Sequence, residues 1–237
     1  YELGEIIIDG SAGMVLENIL PGGGLRLFNK QQKVYGLDIR NFSSFGLSLA
    51  RDSESAQIGL PGKPNVFFNT GTHIQVAGHR HTIQSNYLGC TPEGEMQTTG
   101  SRGIAIGSYS NIPHTTTDLT IGGSRALGEG NIIGNCSTAA IYSGANENNN
   151  TTDTIVFGAV IAGNTIGWHP ILETAMPNQS GVWIYHSTFP GAPNSELYSE
   201  QITIGGPDAD RGNIIAHSDG TAVFLEDDGV RVSMRRN

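Results

Sequence analysis

A phrase of glycine, asparagine and isoleucine recurs in this chain and constrains its fold more than any other feature. A short apolar segment ends in Ile-Gly-Gly, a loop follows, and then comes Gly-Asn-Ile-Ile. Complete copies occupy residues 120–133 and 203–215, and residues 163–167 form a partial copy. Very short strands that repeat, with glycine and asparagine at their corners, are typical of solenoids, in which each repeat stacks on the next.

A second repeated pattern is a glycine or threonine followed by alternating apolar residues. Its strands begin at Leu25, Leu47, Ile74 and Ile104, at spacings of 22, 27 and 30 residues. Such short alternation indicates strands with one buried face. We therefore predict an all-β fold, a right-handed single-stranded parallel β-helix of roughly seven to nine coils with two or three short strands in each. We expect residues 1–237 to form a single domain that is a segment of a longer chain.

Asparagines at the corners of this pattern are predicted to be structural. Asn41, Asn86, Asn135 and Asn164 follow or precede the short strands. Asparagine tolerates left-handed backbone, and its amide can bond to the same residue in the next turn. The isoleucines of the repeated phrase are predicted to be core residues.

The runs at residues 6–11 and 84–94, together with the repeated phrase, resemble the right-handed β-helix repeat proteins of the pectate-lyase-like superfamily. The resemblance covers nearly the whole chain, and it implies a segment of a large secreted or surface bacterial protein. It implies no reaction, because the matching residues are corner and core positions and one fold carries unrelated functions. The Asp-Pro-His-Asp motif of mannuronan epimerases is absent from the sequence. Of the polygalacturonase pattern only Gly78-His79 is present.

Charge and cysteine content exclude several classes of function. The net charge of −9, with three lysines in the chain, argues against nucleic acid as a partner. No apolar run approaches the roughly 20 residues that a membrane span requires. Cys90 and Cys136 do not form a metal site or a disulfide framework. They could form a disulfide between neighbouring turns, or lie buried as free thiols, and the second reading is favoured.

Outward-facing columns of side chains are the places where chemistry could occur. Alignment of the strands predicts one column that contains Arg26, Ser48, Gln75, Ala105 and Trp183. Farther along the chain the same register predicts a second column with Lys30, Asp52, His79 and Tyr109. Lys30, Asp52 and His79 are the candidate catalytic residues: Asp52 would orient His79, which would act as acid or base. The alternative, a ladder of mutually compensating surface charges, is favoured.

Ligand binding is predicted at Arg26, Gln75, Trp183 and Tyr185, since exposed aromatic rings are platforms for the apolar faces of sugars. The alternative is that the loop at 171–180 covers Trp183. His79 and His81 lie two residues apart and would share one side of a strand, but two imidazoles make a weak zinc site. We predict no cofactor. Asp208 and Asp210 resemble half of a calcium loop, which makes calcium the one candidate metal.

Three classes of function remain open. The first is a non-catalytic secreted or cell-surface scaffold, adhesin-like, that contacts polysaccharide or other glycans. The second is a polysaccharide lyase or glycoside hydrolase. The third is a filament subunit that associates end to end, because the ends of such a stack are open sheet edges. The first class is favoured.

Overall fold

The regular secondary structure of the described residues consists almost wholly of short β-strands. The computed structural model describes residues 7–9, 15–17, 22–98, 100–107, 114–144, 154–185, 199–226, 230–235 and 237. Within these ranges the one helical element is a single 3-10 turn, Ala209–Arg211. No described segment forms a helix with the length and apolarity needed to cross a membrane.

Sheet 1 contains the strands that the alternating pattern predicts. All its pairings are parallel, and Leu25, Leu47, Ile74 and Ile104 lie in register. The predicted alignment of these strands is therefore confirmed. The seven strands in order are Leu25–Leu27, Phe45–Leu49, Thr72–Val76, Arg102–Ile106, Ala139–Ser143, Val182–Tyr185 and Val223–Glu226.

Sheet 2 follows sheet 1 along the chain and is also parallel. Its main strands are Ile7–Asp9, Lys33–Tyr35, Gln57–Ile58, Thr82–Ile83, Thr120–Gly122, Val160–Ala162, Ser199–Ile204 and Val230–Met234. Two more strands, His114–Thr117 and Thr154–Phe157, pair with each other, and the second also pairs with Ser199–Ile204. The long strand Ser199–Ile204 thus joins both sets.

Sheet 3 completes each passage of the chain. Its parallel strands are Val15–Glu17, Asp38–Arg40, Val66–Phe68, Tyr87–Leu88, Ile132–Ile133, Thr165–Ile166 and Ile214–Ile215. A two-stranded antiparallel hairpin, Trp168–His169 with Thr174–Ala175, projects after the sixth strand. We call this element the hairpin.

The chain visits the three sheets in a fixed order. After each strand of sheet 3 it returns to sheet 1, next to the strand it left there, and we call one such passage a circuit. The predicted all-β class with stacked parallel sheets is confirmed, and the arrangement is compatible with a parallel β-helix. Ile74, Ile83 and Leu88, one from each sheet of a single circuit, are fully buried and belong to one apolar core.

The buried asparagines form a continuous ladder between sheets 2 and 3. Each donates from Nδ2 to Oδ1 of the asparagine in the next circuit, at 2.9 to 3.0 Å. A second bond from Nδ2 reaches a strand carbonyl of the preceding circuit, as from Asn131 to Ile83 at 2.9 Å. The members of this asparagine ladder are Asn65, Asn86, Asn131, Asn164 and Asn213, which are buried, and Asn237, which is exposed and accepts the last bond.

The prediction for the corner asparagines was therefore half right. Asn86 and Asn164 belong to the ladder, whereas Asn41 and Asn135 lie at a different corner, after sheet 3, with φ of 62° and 58°. The buried column has the continuous amide ladder, whereas the second column has left-handed backbone and one longer amide bond, from Asn69 Nδ2 to Asn41 Oδ1 at 3.4 Å. The reason is that the stacked amides are buried between strands, while the left-handed residues turn the chain outward.

Both cysteine thiols are free and buried. Burial raises the pKa of Cys90 to about 12, and burial together with the neighbouring Cys90 raises the pKa of Cys136 further. The structure thus has the second of the two arrangements considered for this pair, two small buried side chains.

Candidate functional site

The predicted outward column on sheet 1 exists in register, but much of it is covered. Arg26 pairs with Ser48, and Ser48 with Gln75. Gln75 is 4 % exposed and accepts a hydrogen bond from the Ser48 hydroxyl at 3.2 Å. Arg26 is exposed and lies over two rings, 5.5 Å from the Phe28 centroid and 5.8 Å from that of Phe45. The ligand-binding role of Arg26 and Gln75 stays a prediction.

The same column ends in a row of aromatic rings. Tyr142 packs edge-on against Trp183 at 5.5 Å, and Trp183 packs edge-on against Phe224 at 5.4 Å. The indole Nε1 donates to Glu226 at 3.1 Å, and Trp183 stays half-buried. Tyr185, two residues on, is also half-buried and pairs in register with Glu226. Trp183 is thus in contact with its neighbours in the column, and sugar binding by Trp183 and Tyr185 stays a prediction.

The second predicted column has a different member from the one expected. Lys30 bridges to Glu54, and Glu54 to His79, so that Glu54 occupies the position predicted for Asp52. The Lys30 ammonium lies 2.9 Å from the Glu54 carboxylate. Asp52 instead projects into solvent, with its side chain 87 % exposed. The placement of Asp52 beside His79 is therefore wrong.

The physical reason for this shift is a tight turn that adds two residues to one circuit. After the sheet 1 strand, Ser53 closes on Ala50 through both its amide and its hydroxyl. The position opposite Lys30 is consequently reached five residues after Leu49 instead of three. His79 Nδ1 lies 3.1 Å from the Thr117 hydroxyl. Tyr109, the fourth predicted member, lies outside the described residues.

His79 and His81 do not share a side, contrary to the prediction. Arg80 between them has left-handed backbone, with φ of 56°, and this breaks the alternation. His79 faces outward, whereas His81 is 1 % exposed and points into the core. Within the described ranges, no three histidine, cysteine, aspartate or glutamate side chains group in a way that could hold a metal ion.

The two aspartates proposed for calcium have separate roles in the described structure. Asp208 precedes the 3-10 turn, where its carbonyl accepts from the Arg211 amide at 3.1 Å. Asp210 accepts a short hydrogen bond from the Ser124 hydroxyl, and this bond is the main cause that lowers the pKa of the Asp210 carboxyl. Asp210 thus links the turn to the loop at 123–130.

An apolar cleft lies on the outer face of sheet 3. The repeated phrase builds its floor, because adjacent residues of a strand point to opposite faces. Ile133 is fully buried in the core, whereas Ile132 faces outward, and Ile214, its equivalent in the other copy, is 42 % exposed. The expectation that all isoleucines of the phrase are core residues is wrong for these two.

The floor of this cleft is a column that crosses four circuits. Tyr87 pairs with Ile132, Ile132 with Thr165, and Thr165 with Ile214. With about 4.8 Å between neighbouring strands, the column extends over about 14 Å. Tyr87 is half-buried, and burial is the main cause that raises the pKa of its hydroxyl.

Two insertions form the walls of the cleft. On the side of sheet 2, the loop at 123–130 contributes Arg125, whose Nη2 donates to the Ala209 carbonyl at 2.8 Å. On the opposite side, the hairpin contributes Pro170, and His169 anchors it through a bond of 3.1 Å to the Thr91 carbonyl. The enclosed volume is about 450 Å³.

The described lining of the cleft combines an apolar floor with two titratable side chains. Among the described residues that line it, Arg125 has the one charged side chain. The other titratable group is the Tyr87 phenol. The apolar floor with a phenol at one end can hold a ligand that has apolar faces.

The repeated phrase in the sequence is itself a signal for the floor of this cleft. Two adjacent isoleucines in a strand cannot both face the core. Hence one isoleucine in each copy of Gly-Asn-Ile-Ile had to lie on the surface.

Comparison with known proteins found no family whose model matches this chain, no matching curated protein and no matching solved structure.

Proposed function

We propose that this protein is a non-catalytic binding scaffold of the secreted or cell-surface type, built as a right-handed parallel β-helix of roughly seven to nine coils. The fixed order of the three parallel sheets supports the architecture. The cleft on sheet 3 is the binding site, and its ligand is a glycan. The observation that carries this function is the outward column of Tyr87, Ile132 and Ile214 between two walls.

The glycan lies along the stack in this proposal. The Tyr87 ring receives the apolar face of one sugar unit, as aromatic side chains do when one face is wet and the other packed. Ile132 and Ile214 contact further units, and Arg125 donates hydrogen bonds to oxygen atoms at the rim. The described lining holds no carboxylate and no imidazole, and in this proposal the bound chain is held and not cleaved.

Glycan binding is tested by affinity electrophoresis against a panel of neutral and acidic polysaccharides. We expect Tyr87→Ala to abolish retardation and Tyr87→Phe to retain it, because the ring and not the hydroxyl supplies the platform. Tyr35→Ala is the matched control, since Tyr35 lies on sheet 2 under the Lys63 ammonium, 4.9 Å from the ring centroid. Equal retardation of wild type and Tyr87→Ala would contradict the proposed site. Release of new chain ends would support the lyase or hydrolase alternative.

A second candidate ligand is a polypeptide segment with apolar side chains. Leu127 and Ile171 adjoin the cleft-lining residues of the two walls, and they are 67 % and 66 % exposed. Aliphatic residues on both rims favour an apolar partner more than a sugar. A peptide ligand would lose affinity in Leu127→Ser and Ile171→Ser, whereas a glycan held by Tyr87 would not, and binding measured with both variants separates the two ligands.

A further inference from the structure

A second concavity, on the outer face of sheet 2, is polar and rich in hydrogen-bond donors. Its volume is about 660 Å³. We call it the basic groove, and its polar lining residues are Gln31, Lys33, Ser55, Gln57, Arg80 and Thr82. It lies on a different sheet from the cleft.

Register places two cations on either side of a neutral floor in this groove. Lys33, Gln57 and Thr82 form one outward column on neighbouring strands. Arg80 precedes the third strand by two residues. Two strand spacings separate the outer strands, about 10 Å, and the long side chains of lysine and arginine can both reach a group that lies over Gln57.

The backbone fixes the arginine at the rim of the groove. Gln31, Ser55 and Arg80 all have left-handed backbone, with φ of 56° to 57°. The amide of each donates to a carbonyl in the next circuit, as from Arg80 to Thr117 at 2.8 Å. These three residues therefore occupy equivalent corners in successive circuits, and their side chains leave the stack in parallel.

A carboxylate outside the groove holds the arginine in position. Glu54 has one carboxylate oxygen 2.9 Å from the Lys30 ammonium, and its other oxygen pairs with the Arg80 guanidinium. The Glu54 side chain is 20 % exposed, whereas that of Arg80 is 57 % exposed. Glu54 is thus a positioning residue, and the guanidinium keeps a broad surface toward solvent.

The charge of the whole chain makes this grouping notable. The chain has a net charge of −9 and contains three lysines, yet one of them, Lys33, lines this groove together with Arg80. We propose that the basic groove is an oxyanion-binding site that takes a sulfate or phosphate group. Arginine and lysine bond such groups through charge-assisted hydrogen bonds, and a tetrahedral oxyanion can accept from donors on several sides at once. Gln57 and Thr82 supply neutral donors below it.

The test is an NMR titration of the folded protein with sodium sulfate, at an ionic strength held constant with chloride. We expect saturable shifts at the Gln57 side-chain amide and at Arg80 Nε–H, and the same pattern with inorganic phosphate. Lys33→Gln and Arg80→Gln should each weaken sulfate binding by about tenfold, the loss expected for one charge-assisted bond. Lys63→Gln, which removes a cation outside the groove, should leave the affinity unchanged.

Three results would overturn the proposal. One is a linear, non-saturating response to sulfate. Another is equal affinity in wild type and in Lys33→Gln, a variant that keeps the Glu54 pair with Arg80 intact. The third is an acetate affinity equal to that for sulfate, because a planar monovalent anion would then be the better description of the ligand. A glycan bound in the cleft should not change the NMR signals of Gln57 and Arg80, because the cleft lies on another sheet. A negative result for sulfate therefore does not count against glycan binding, and a negative result for glycans does not count against the basic groove.

Discussion

Individual buried polar residues fix how one circuit sits on the next. Each buried amide of the asparagine ladder uses its donors and its acceptor in bonds to protein atoms, in a place where an unmade bond costs the desolvation of the group. Asn131 shows this most fully: its Oδ1 accepts from Asn86 N at 3.1 Å and from Asn86 Nδ2 at 2.9 Å. Its Nδ2 donates to the Ile83 carbonyl and to Asn164 Oδ1, both at 2.9 Å.

Replacing one ladder residue should therefore cost more than replacing a corner asparagine. We expect Asn131→Ala to lower the free energy of unfolding by roughly 3 kcal/mol or more, because several buried partners lose their bonds together. Asn41→Gly is the control: Asn41 is exposed with φ of 62°, a backbone that glycine accepts, and the variant loses an exposed bond of 3.4 Å from Asn69, so the change should stay within about 1 kcal/mol. Urea unfolding of the two variants measures both values, and equal losses would refute the distinction between the two columns.

Two buried histidines make stability depend on pH. Burial lowers the pKa of His73 to about 3 and that of His81 to about 4. Each ring is already bonded as a neutral group: His81 Nδ1 accepts from the Ala56 amide at 3.0 Å, and His73 Nε2 lies 3.1 Å from Gln97 Nε2. A proton would break these acceptor bonds.

Stability should fall as the pH drops below about 6.5, the pKa of histidine in the unfolded chain. Below that pH both histidines are protonated in the unfolded state but stay neutral in the folded state, down to pH about 4 for His81 and about 3 for His73. Each histidine contributes about 1.4 kcal/mol per pH unit over its interval. Urea unfolding between pH 7 and 5 measures the slope. The ring resonances of both residues should stay constant in NMR spectra over this range, and titration of either ring near pH 6 would contradict the expectation.

At the scale of the elements, strands stay short while the segments between them differ in length. The three sheets repeat strands of two to six residues, whereas the insertions that wall the cleft occur in only some circuits. The glycines of the repeated phrase allow this, because the chain turns sharply where a strand ends. Gly122 and Gly205, equivalent in the two copies, have φ of 85° and 90°.

Substitution of two glycines separates backbone strain from close packing. Gly122 and Gly128 both have positive φ, but a Cβ on Gly122 would overlap the Ala162 carbonyl oxygen, while a Cβ on Gly128 would meet open space. We expect Gly128→Ala to cost roughly 1 to 2 kcal/mol from backbone strain, and Gly122→Ala to cost roughly 1 to 3 kcal/mol more from the overlap. Thermal unfolding of both variants measures the difference between the two losses of stability. Equal losses would show that Gly122 is not in close contact with Ala162 of the next circuit.

At the scale of the whole molecule, strand pairing in the described sheets joins neighbouring circuits, and an insertion such as the hairpin, with His169 bonded to Thr91, reaches two circuits away. Sheet 1 runs from Leu25–Leu27 to Val223–Glu226 in chain order without a crossover. Stability in such an array is close to a sum of nearest-neighbour terms, so it is not uniform along the stack.

Native-state hydrogen exchange should reveal this gradient. We expect the slowest amides in the middle strands of sheet 1, at Ile74, Ile104 and Ile141, and faster exchange in the strands that begin at Leu25 and Val223, because these outer strands have a neighbour on one side within sheet 1. Exchange measured by NMR at pH 7 gives the order. Protection of equal size at all five positions would indicate a single global opening instead.

The sequence predicted the strand register because alternation is a local property. Leu25, Leu47 and Ile74 could be aligned from their flanking residues alone, and the structure places them in register. The positions of residues that follow a turn could not be predicted in the same way, because the number of residues in the turn and its backbone conformation are not visible in the alternation. The turn at Ala50–Ser53 displaced Asp52 from the column of Lys30, and the left-handed backbone of Arg80 turned His81 inward.

The cleft also has features that the local sequence predicts and features that depend on contacts between distant parts of the chain. That one isoleucine of each phrase faces outward follows from strand geometry. That Ile132 and Ile214 lie in one column with Tyr87 depends on the pairing of strands from three parts of the chain. The walls depend on contacts such as His169 to Thr91, which are 78 residues apart, and no pattern in the sequence specifies such contacts.

The asparagine ladder also gives the stack a polarity. From Asn65 to Asn213 every Nδ2 donates toward the higher-numbered neighbour, so these bonds all point in one direction along the stack. The acceptor end of the ladder is closed inside the protein, because Asn65 is fully buried and its Oδ1 accepts from the Leu37 amide at 3.0 Å. The donor end, at Asn237, is the exposed one, so the ladder can be extended there by a group that accepts a hydrogen bond.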